Sequence, residues 1–139
     1  MRTASQITAD FYKSLKSSEL ARLINGGVYH DGQRPANSRK EDAVVVFTAG
    51  LAGQVDSGTI TVLVYVPDID ADGTGVPVEN KRRTAEIESA ALDWVKGMQT
   101  ALTGYRIELS QAIATSSEEL LRQHFVSVRI SYESFDENE

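Results

Sequence analysis

The stretch Gly58-Thr59-Ile60-Thr61-Val62-Leu63-Val64-Tyr65-Val66-Pro67 limits what this chain can become more than any other segment. Ile60, Val62, Val64 and Val66 recur at the period of a β-strand and share one face, while Thr59, Thr61, Leu63 and Tyr65 share the other. A strand this long, with one face wholly β-branched, belongs inside a sheet. Directly after it come Asp68-Ile69-Asp70-Ala71-Asp72-Gly73, with Glu79 six residues past the glycine. Letter for letter this is the calcium-loop pattern D-x-D-x-D-G-x5-E, in which Asp68, Asp70, Asp72 and Glu79 would offer hard oxygen ligands around a turn at Gly73. The preceding strand argues against that reading, because an EF-hand loop joins two helices. Gly75 also stands where such a loop places an apolar residue, and Pro77 removes a backbone donor. The segment reads as a solvated acidic connector between strand and helix, and neither a bound metal nor a cofactor is expected.

The remaining elements follow from periodicity and punctuation. Ile7, Phe11 and Leu15 recur at helical spacing, then Leu20, Leu23 and Ile24, and Asn25-Gly26-Gly27 supplies a stop. Ser17-Ser18-Glu19 offers a cap for a second short turn, so this helix is expected to be kinked or split. Val28-Tyr29-His30 reads as a short strand, and 31–40, polar and carrying Pro35, as a loop. Ala43-Val44-Val45-Val46-Phe47 is a near-continuous branched run and is expected to be a central strand. The glycine-rich connector 49–58 reads as a flexible hairpin arm. Ile87, Ala91, Trp94, Met98 and Leu102 form the apolar stripe of a helix from about 80 to 102, closed by Thr103-Gly104. Tyr105, Ile107 and Leu109 alternate with polar residues in a further strand. Ser116-Ser117-Glu118-Glu119 resembles a capping box for a short turn. Val126, Val128, Ile130 and Tyr132 alternate in the last strand. The order α-β-β-β-α-β-β predicts an α+β fold: one mixed or antiparallel sheet with two helices packed on one face. Residues 1–139 make a single domain, with an acidic, frayed tail over 134–139.

Composition narrows the function classes. A net charge of −6 and an isoelectric point near 4.9 disfavour tight nucleic-acid binding through a broad basic face. The absence of cysteine excludes disulfides, thiolate metal sites and cysteine nucleophiles. The first residues lack the apolar core of a signal peptide, and no apolar run approaches the roughly 20 residues that span a bilayer. A soluble, non-exported, non-membrane protein is expected. His30 and His124 are the imidazoles available for chemistry. No serine or aspartate stands at a spacing that completes a triad with them, and the chain has no nucleophile elbow or phosphate-cradling glycine loop. The expected enzyme class is therefore none, and the histidines read as structural.

Two basic clusters could face a partner. Lys81-Arg82-Arg83 stands at the start of the long helix, where cations oppose the helix dipole. Arg34, Arg39 and Lys40 lie in the first loop. The plain alternative is a solvated surface balanced by Asp68, Asp70, Asp72 and Glu79. In the glycine-rich arm, Leu51, Gln54 and Val55 are the candidate contacts with a partner or neighbouring subunit.

Taken in order, the chain resembles the tail-terminator and head–tail joining proteins, or tail completion proteins, of long-tailed bacteriophages. The features that carry the likeness are an N-terminal helix ending before Gly27-Val28-Tyr29, and Arg34-Pro35 ahead of Glu41-Asp42-Ala43-Val44-Val45-Val46. The glycine-rich connector, the strand 58–66, the long helix, Gly104-Tyr105-Arg106-Ile107 and the closing strand 124–130 follow. The resemblance spans roughly 5–132 and is one of order and pattern, without a diagnostic signature. The Asp-rich connector is longer and more acidic than that family suggests. The resemblance implies a non-enzymatic virion protein, from a phage or prophage, that assembles with itself into a ring, typically a hexamer. Such a ring ends tail-tube growth and meets tail-tube and head-connector proteins, with DNA passing through unbound. Its places would be the virion and, during assembly, the host bacterial cytoplasm. Two alternatives stay open: a calcium-dependent binding module built on 68–79, and a small enzyme of ferredoxin-like shape with a pocket near His30 or His124.

Overall fold

A computed structural model describes residues 2–49 and 56–135. Helix α1, Ala4–Lys16, opens on a Thr3 cap whose hydroxyl accepts the Gln6 amide, while the Gln6 side chain reaches back to the Thr3 N–H. Ser17 ends it, and Ser18 caps a separate short helix α2, Glu19–Leu23. The chain then forms β1 (Val28–His30), β2 (Ala43–Ala49) and β3 (Ser57–Pro67). Helix α3, Lys81–Ala101, is capped by the Asn80 side chain. Strands β4 (Tyr105–Leu109) and β5 (Ala114–Glu118), a 3-10 turn Glu119–Leu121 and β6 (Gln123–Ser134) complete the order.

These elements make an α+β fold around one mixed six-stranded sheet ordered β1-β2-β3-β6-β4, with β5 also paired to β6. Among the described residues only β1 and β2 run parallel; the other pairings are antiparallel. The second half of β6 pairs with β4 and its first half with β5, so these two strands form one interrupted edge. The structure adds β5 to the expected order. There, 116–119 does not cap a helix: the 3-10 turn has no side-chain cap, and Ser116, Ser117 and Glu118 belong to the strand.

The alternation in β3 decides where the core lies. Ile60, Val62, Val64 and Val66 are fully buried, as are Val126, Val128 and Ile130 beside them. Ile7, Phe11 and Leu15 of α1, Leu20 of α2, and Ile87, Ala91, Trp94, Val95 and Met98 of α3 close over this face in a single cluster. The other face keeps Val46, Leu63, Tyr65 and Phe125 partly exposed. Its cover is the loop 31–42: the Arg34 guanidinium lies 4.1 Å over the Tyr65 ring, which packs against Phe125.

Two consecutive acids anchor that loop. Glu41 is 5% exposed and Asp42 1%. Glu41 receives two hydrogen bonds from Arg83, at 2.6 and 2.7 Å, and one from the Asn25 N–H. Asp42 receives Arg34 Nε and the Gly27 N–H, each at 2.9 Å, and the Ser38 hydroxyl. Burial works against the Asp42 charge, but the bonds from Ser38, Gly27 and Arg34 outweigh it and hold its carboxyl below the ordinary 3.8. At the opposite end of the sheet, Arg2 donates to Gly104 O, Ser134 Oγ and Phe135 O. The Tyr105 hydroxyl donates to Asp10 at 2.5 Å; burial, then that bond, pushes its pKa far up.

Asp42→Asn is expected to lower stability by about 3 kcal/mol at neutral pH, since it leaves Arg34 without its charge partner. A carboxyl whose folded pKa is depressed contributes fully above its unfolded value, and that contribution disappears as pH falls through the folded one. Urea unfolding followed from neutral pH into acid should show the wild type losing more stability across that window than Asp42→Asn. Glu86 has the same sign, so the variant's curve flattens without becoming level. A Cβ on Gly26 would lie 2.0 Å from Asp42 Oδ1 and 2.3 Å from the Glu41 carbonyl oxygen. Gly26→Ala should therefore cost about 2 kcal/mol in the same experiment.

Candidate interaction surface

At the end of the sheet where Pro67 of β3 pairs with Gln123 of β6, the acidic connector folds back on itself. Ile69 and Val78 form an antiparallel bridge and exchange both backbone hydrogen bonds at 2.9 Å. The Asp70 carboxylate accepts the Gly75 N–H at 2.9 Å. Gly73 and Gly75 sit at φ of 70° and 81°, which side chains with a Cβ seldom adopt. The connector is thus a small closed hairpin with glycines where its turns need them.

His124 clasps the base of this hairpin. Its Nδ1 lies 2.7 Å from Asp68 on the ingoing leg, and its Nε2 lies 3.8 Å from Glu79 on the outgoing leg. Glu79 also accepts the Thr84 hydroxyl at 2.7 Å, tying the outgoing leg to the first turn of α3. The Asp68 N–H donates to the Arg122 carbonyl at 3.0 Å, tying the ingoing leg to the turn before β6. The four acids of the calcium pattern therefore have separate occupations: Asp68 faces His124, Asp70 caps Gly75, Glu79 holds Thr84, and Asp72 is exposed. Among the described residues, no group of three or more His, Asp or Glu side chains is placed to hold a metal ion. His30 is elsewhere, stacked on Tyr12 at 4.1 Å between ring centres.

The hairpin and the 3-10 turn before Arg122 both leave apolar side chains in solvent. Leu120 is 94% exposed and Val76 59%, and Ile69, Val78 and Leu121 are exposed with them. These are five of the seven large apolar residues that the described part of the chain leaves in solvent; Leu92 and Phe135 are the others. Leu120 and Leu121 lie on the 3-10 turn immediately before Arg122, whose carbonyl binds the hairpin's first residue. Sequence reasoning missed this pair, although two leucines directly after Glu118-Glu119 in a polar stretch were a usable signal.

The basic candidates divide. Arg34 and Arg83, expected to face a partner, are engaged within the fold. Arg34 pairs with Asp42 and also donates to Gln123 and the Lys40 carbonyl. Arg83 pairs with Glu41 and Glu86 and donates to the Leu23 carbonyl. Arg82 is exposed and reaches Glu86 at 3.1 Å; Lys81 and Arg39 are exposed. Leu51, Gln54 and Val55 lie outside the described residues. No helix among the described residues is long and apolar enough to cross a membrane.

No protein-family model matches the chain, and no curated protein matches it. A solved structure of 18% sequence identity aligns over the whole of both chains with a TM-score of 0.47, and its name says nothing of function. A likeness that distant carries no argument about what this chain does.

His124→Ala should free both legs of the hairpin while leaving β6 paired. Hydrogen exchange followed by NMR is expected to speed up at the Ile69 and Val78 amides, by tenfold or more if the clasp is worth about 1.4 kcal/mol, with Val126 and Val128 unchanged. Equal exchange at Ile69 and Val78 in both proteins would assign the hairpin's order to its backbone bridge alone.

Proposed function

We propose that this chain is a non-enzymatic structural protein of the tail-terminator and head–tail joining kind. In that role it assembles as a ring that ends tail-tube growth and docks to the head connector. What carries the reading is the one-sided architecture. Helices cover one face of the sheet, and the other face leaves Val46, Leu63, Tyr65 and Phe125 only partly covered. The order of elements, apart from the added β5 and the separate α2, follows the one on which the resemblance rests, and the α+β sheet is compatible with it. Strand β5, Ala-Thr-Ser-Ser-Glu, adds an edge without proline or lysine and with Glu118 as its one charge. A heterologous contact between such a surface and a second patch of the same chain closes into a ring when its rotation closes. An acidic subunit also suits a channel through which DNA slides without sticking.

The calcium-module alternative has less in its favour, because Asp68, Asp70 and Glu79 each already have a protein partner. For the enzyme alternative, the partners that the described residues give the histidines are Asp68 and Glu79 at His124 and the Tyr12 ring at His30, not a nucleophile.

In this reading the arm between β2 and β3 reaches a neighbouring subunit, and a shortened arm tests it. Replacing 51–55 with a tight two-residue turn should leave thermal unfolding nearly unchanged, since hairpins accept such turns. Rings seen by electron microscopy at high protein concentration are expected to disappear, and complemented phage should produce tails of abnormal length. Normal rings and normal tails from that variant would refute the assigned role.

A further inference from the structure

We propose that the depression between loop 36–39 and the 3-10 turn receives the segment Phe135-Asp136-Glu137-Asn138-Glu139 of a second copy of this chain. Its walls are Asn37, Ser38 and Arg39 on one side and Leu120, Leu121 and Arg122 on the other. The lining thus sets two guanidiniums beside two leucines and holds no carboxylate. Glu118 and Glu119 precede the turn and Lys40 follows Arg39, and none of the three lines the depression. Arg39 and Arg122 are exposed, and neither guanidinium bonds or pairs with another described residue. Arg34 and Arg83, by contrast, are engaged inside the fold.

The depression is shaped before anything enters it. Gln123, 3% exposed, donates from Nε2 to the Ser38 carbonyl and accepts from Arg34, so it ties loop and turn together. Arg122 stands at φ 52°, a left-handed backbone that residues with a Cβ seldom adopt, and its carbonyl accepts the Asp68 N–H. Walls held in this way lose little freedom on binding. The open space is about 170 Å³, below the roughly 300 Å³ at which small-molecule pockets begin, and suits a protein side chain better than a ligand.

The occupant follows from what the chain carries elsewhere. Phe135 is 48% exposed, while its N–H donates to Gly104 O and its carbonyl accepts Arg2, so the ring is presented on an anchored backbone. Three of the next four residues are acidic. An aromatic followed by carboxylates complements leucines beside guanidiniums. A phosphate backbone would instead meet a chain of net charge −6 and leave the leucines unused. The same molecule cannot supply the segment. Strand β6 lies between Arg122 and Phe135, and its 12 residues, at about 3.3 Å each, set its ends roughly 36 Å apart. Four residues extend at most about 14 Å. Segment and depression therefore meet only between copies, head to tail, which leaves each copy a second site for a further neighbour. The contact extends the self-assembly reading and holds whether or not the copies close into a ring.

The absence of cysteine from the sequence gives a direct test. Asn37→Cys and Glu137→Cys forms of the whole chain, mixed and treated with a short bismaleimide, should yield a cross-linked heterodimer, with little homodimer from either form alone. Adding Arg39→Glu and Arg122→Glu to the Asn37→Cys form should lower that yield about tenfold, equivalent to 1.4 kcal/mol of lost contact. Asp136→Lys with Glu139→Lys in the Glu137→Cys form should restore it, and added salt should weaken the unreversed pair. Equal thermal unfolding will show that the variants fold. No heterodimer, a yield indifferent to charge reversal, or no rescue would each overturn the proposal. Cross-linking of Asn37→Cys to itself at the same yield would overturn it too, by making the contact symmetric. The readout is pairwise, so it stands or falls apart from the rings tested with the shortened arm.

Discussion

Glu41 and Asp42 lead into β2 side by side, yet they serve opposite faces of the sheet. Glu41 takes Arg83 from α3 on the helix side, while Asp42 takes Arg34 from the loop that crosses the open face. The same two residues receive the backbone N–H groups of Asn25 and Gly27, where α2 gives way to β1. One dipeptide thus sets the position of the long helix, the loop, the parallel edge strand and the chain between them. Replacing a buried ion pair wholesale with apolar groups is often neutral, but removing one member strands the other. What such pairs confer is position more than net stability. That is why Gly26, with no room for a methyl beside Asp42, belongs to the same unit.

Much of this fold was legible because its signals were strictly periodic. The alternation from Ile60 to Val66 named both the strand and its buried face, and the stripe Ile87, Ala91, Trp94 and Met98 named the face of α3. Ser17-Ser18 announced the break between α1 and α2, since each serine competes locally for the backbone. Strand β5 was not legible. Ala-Thr-Ser-Ser-Glu has no apolar alternation and weak strand preference, and it pairs because the first half of β6 offers it a ladder. Here the neighbouring strand overrides local preference, which a single sequence does not display.

The surface was legible in part. The segment holding Asp68, Asp70, Asp72 and Glu79 read as a solvated acidic connector, and the structure instead closes it into a hairpin with a histidine at its base. The partner of His124 could not be found from spacing, because 56 residues separate it from Asp68 and only the β3–β6 register brings them together. Arg83 was more readable than its run suggested. It lies one helical turn before Ile87, so the apolar stripe of α3 extended backwards arrives at Arg83 and leaves Lys81 and Arg82 to solvent. A cluster of like charges on a helix is thus divided by the helix's own period.

The place of β6 has a consequence for how the molecule comes into being. It is the last of the described strands, yet it lies between β3 and the β4–β5 edge and, among the described residues, supplies the only strand-to-strand link between them. Until it arrives, β3 carries eleven residues with one side open, and β4 and β5 have nothing to pair with. The first hundred residues can build helices and the β2–β3 hairpin from near neighbours, but the sheet closes only through contacts far apart along the chain. A chain emerging from a ribosome therefore passes through a stage with its most apolar strand unpaired along one edge, the form most exposed to wrong association. Closure of this sheet thus waits on β6, and the edge of β3 stays unpaired until β6 is made.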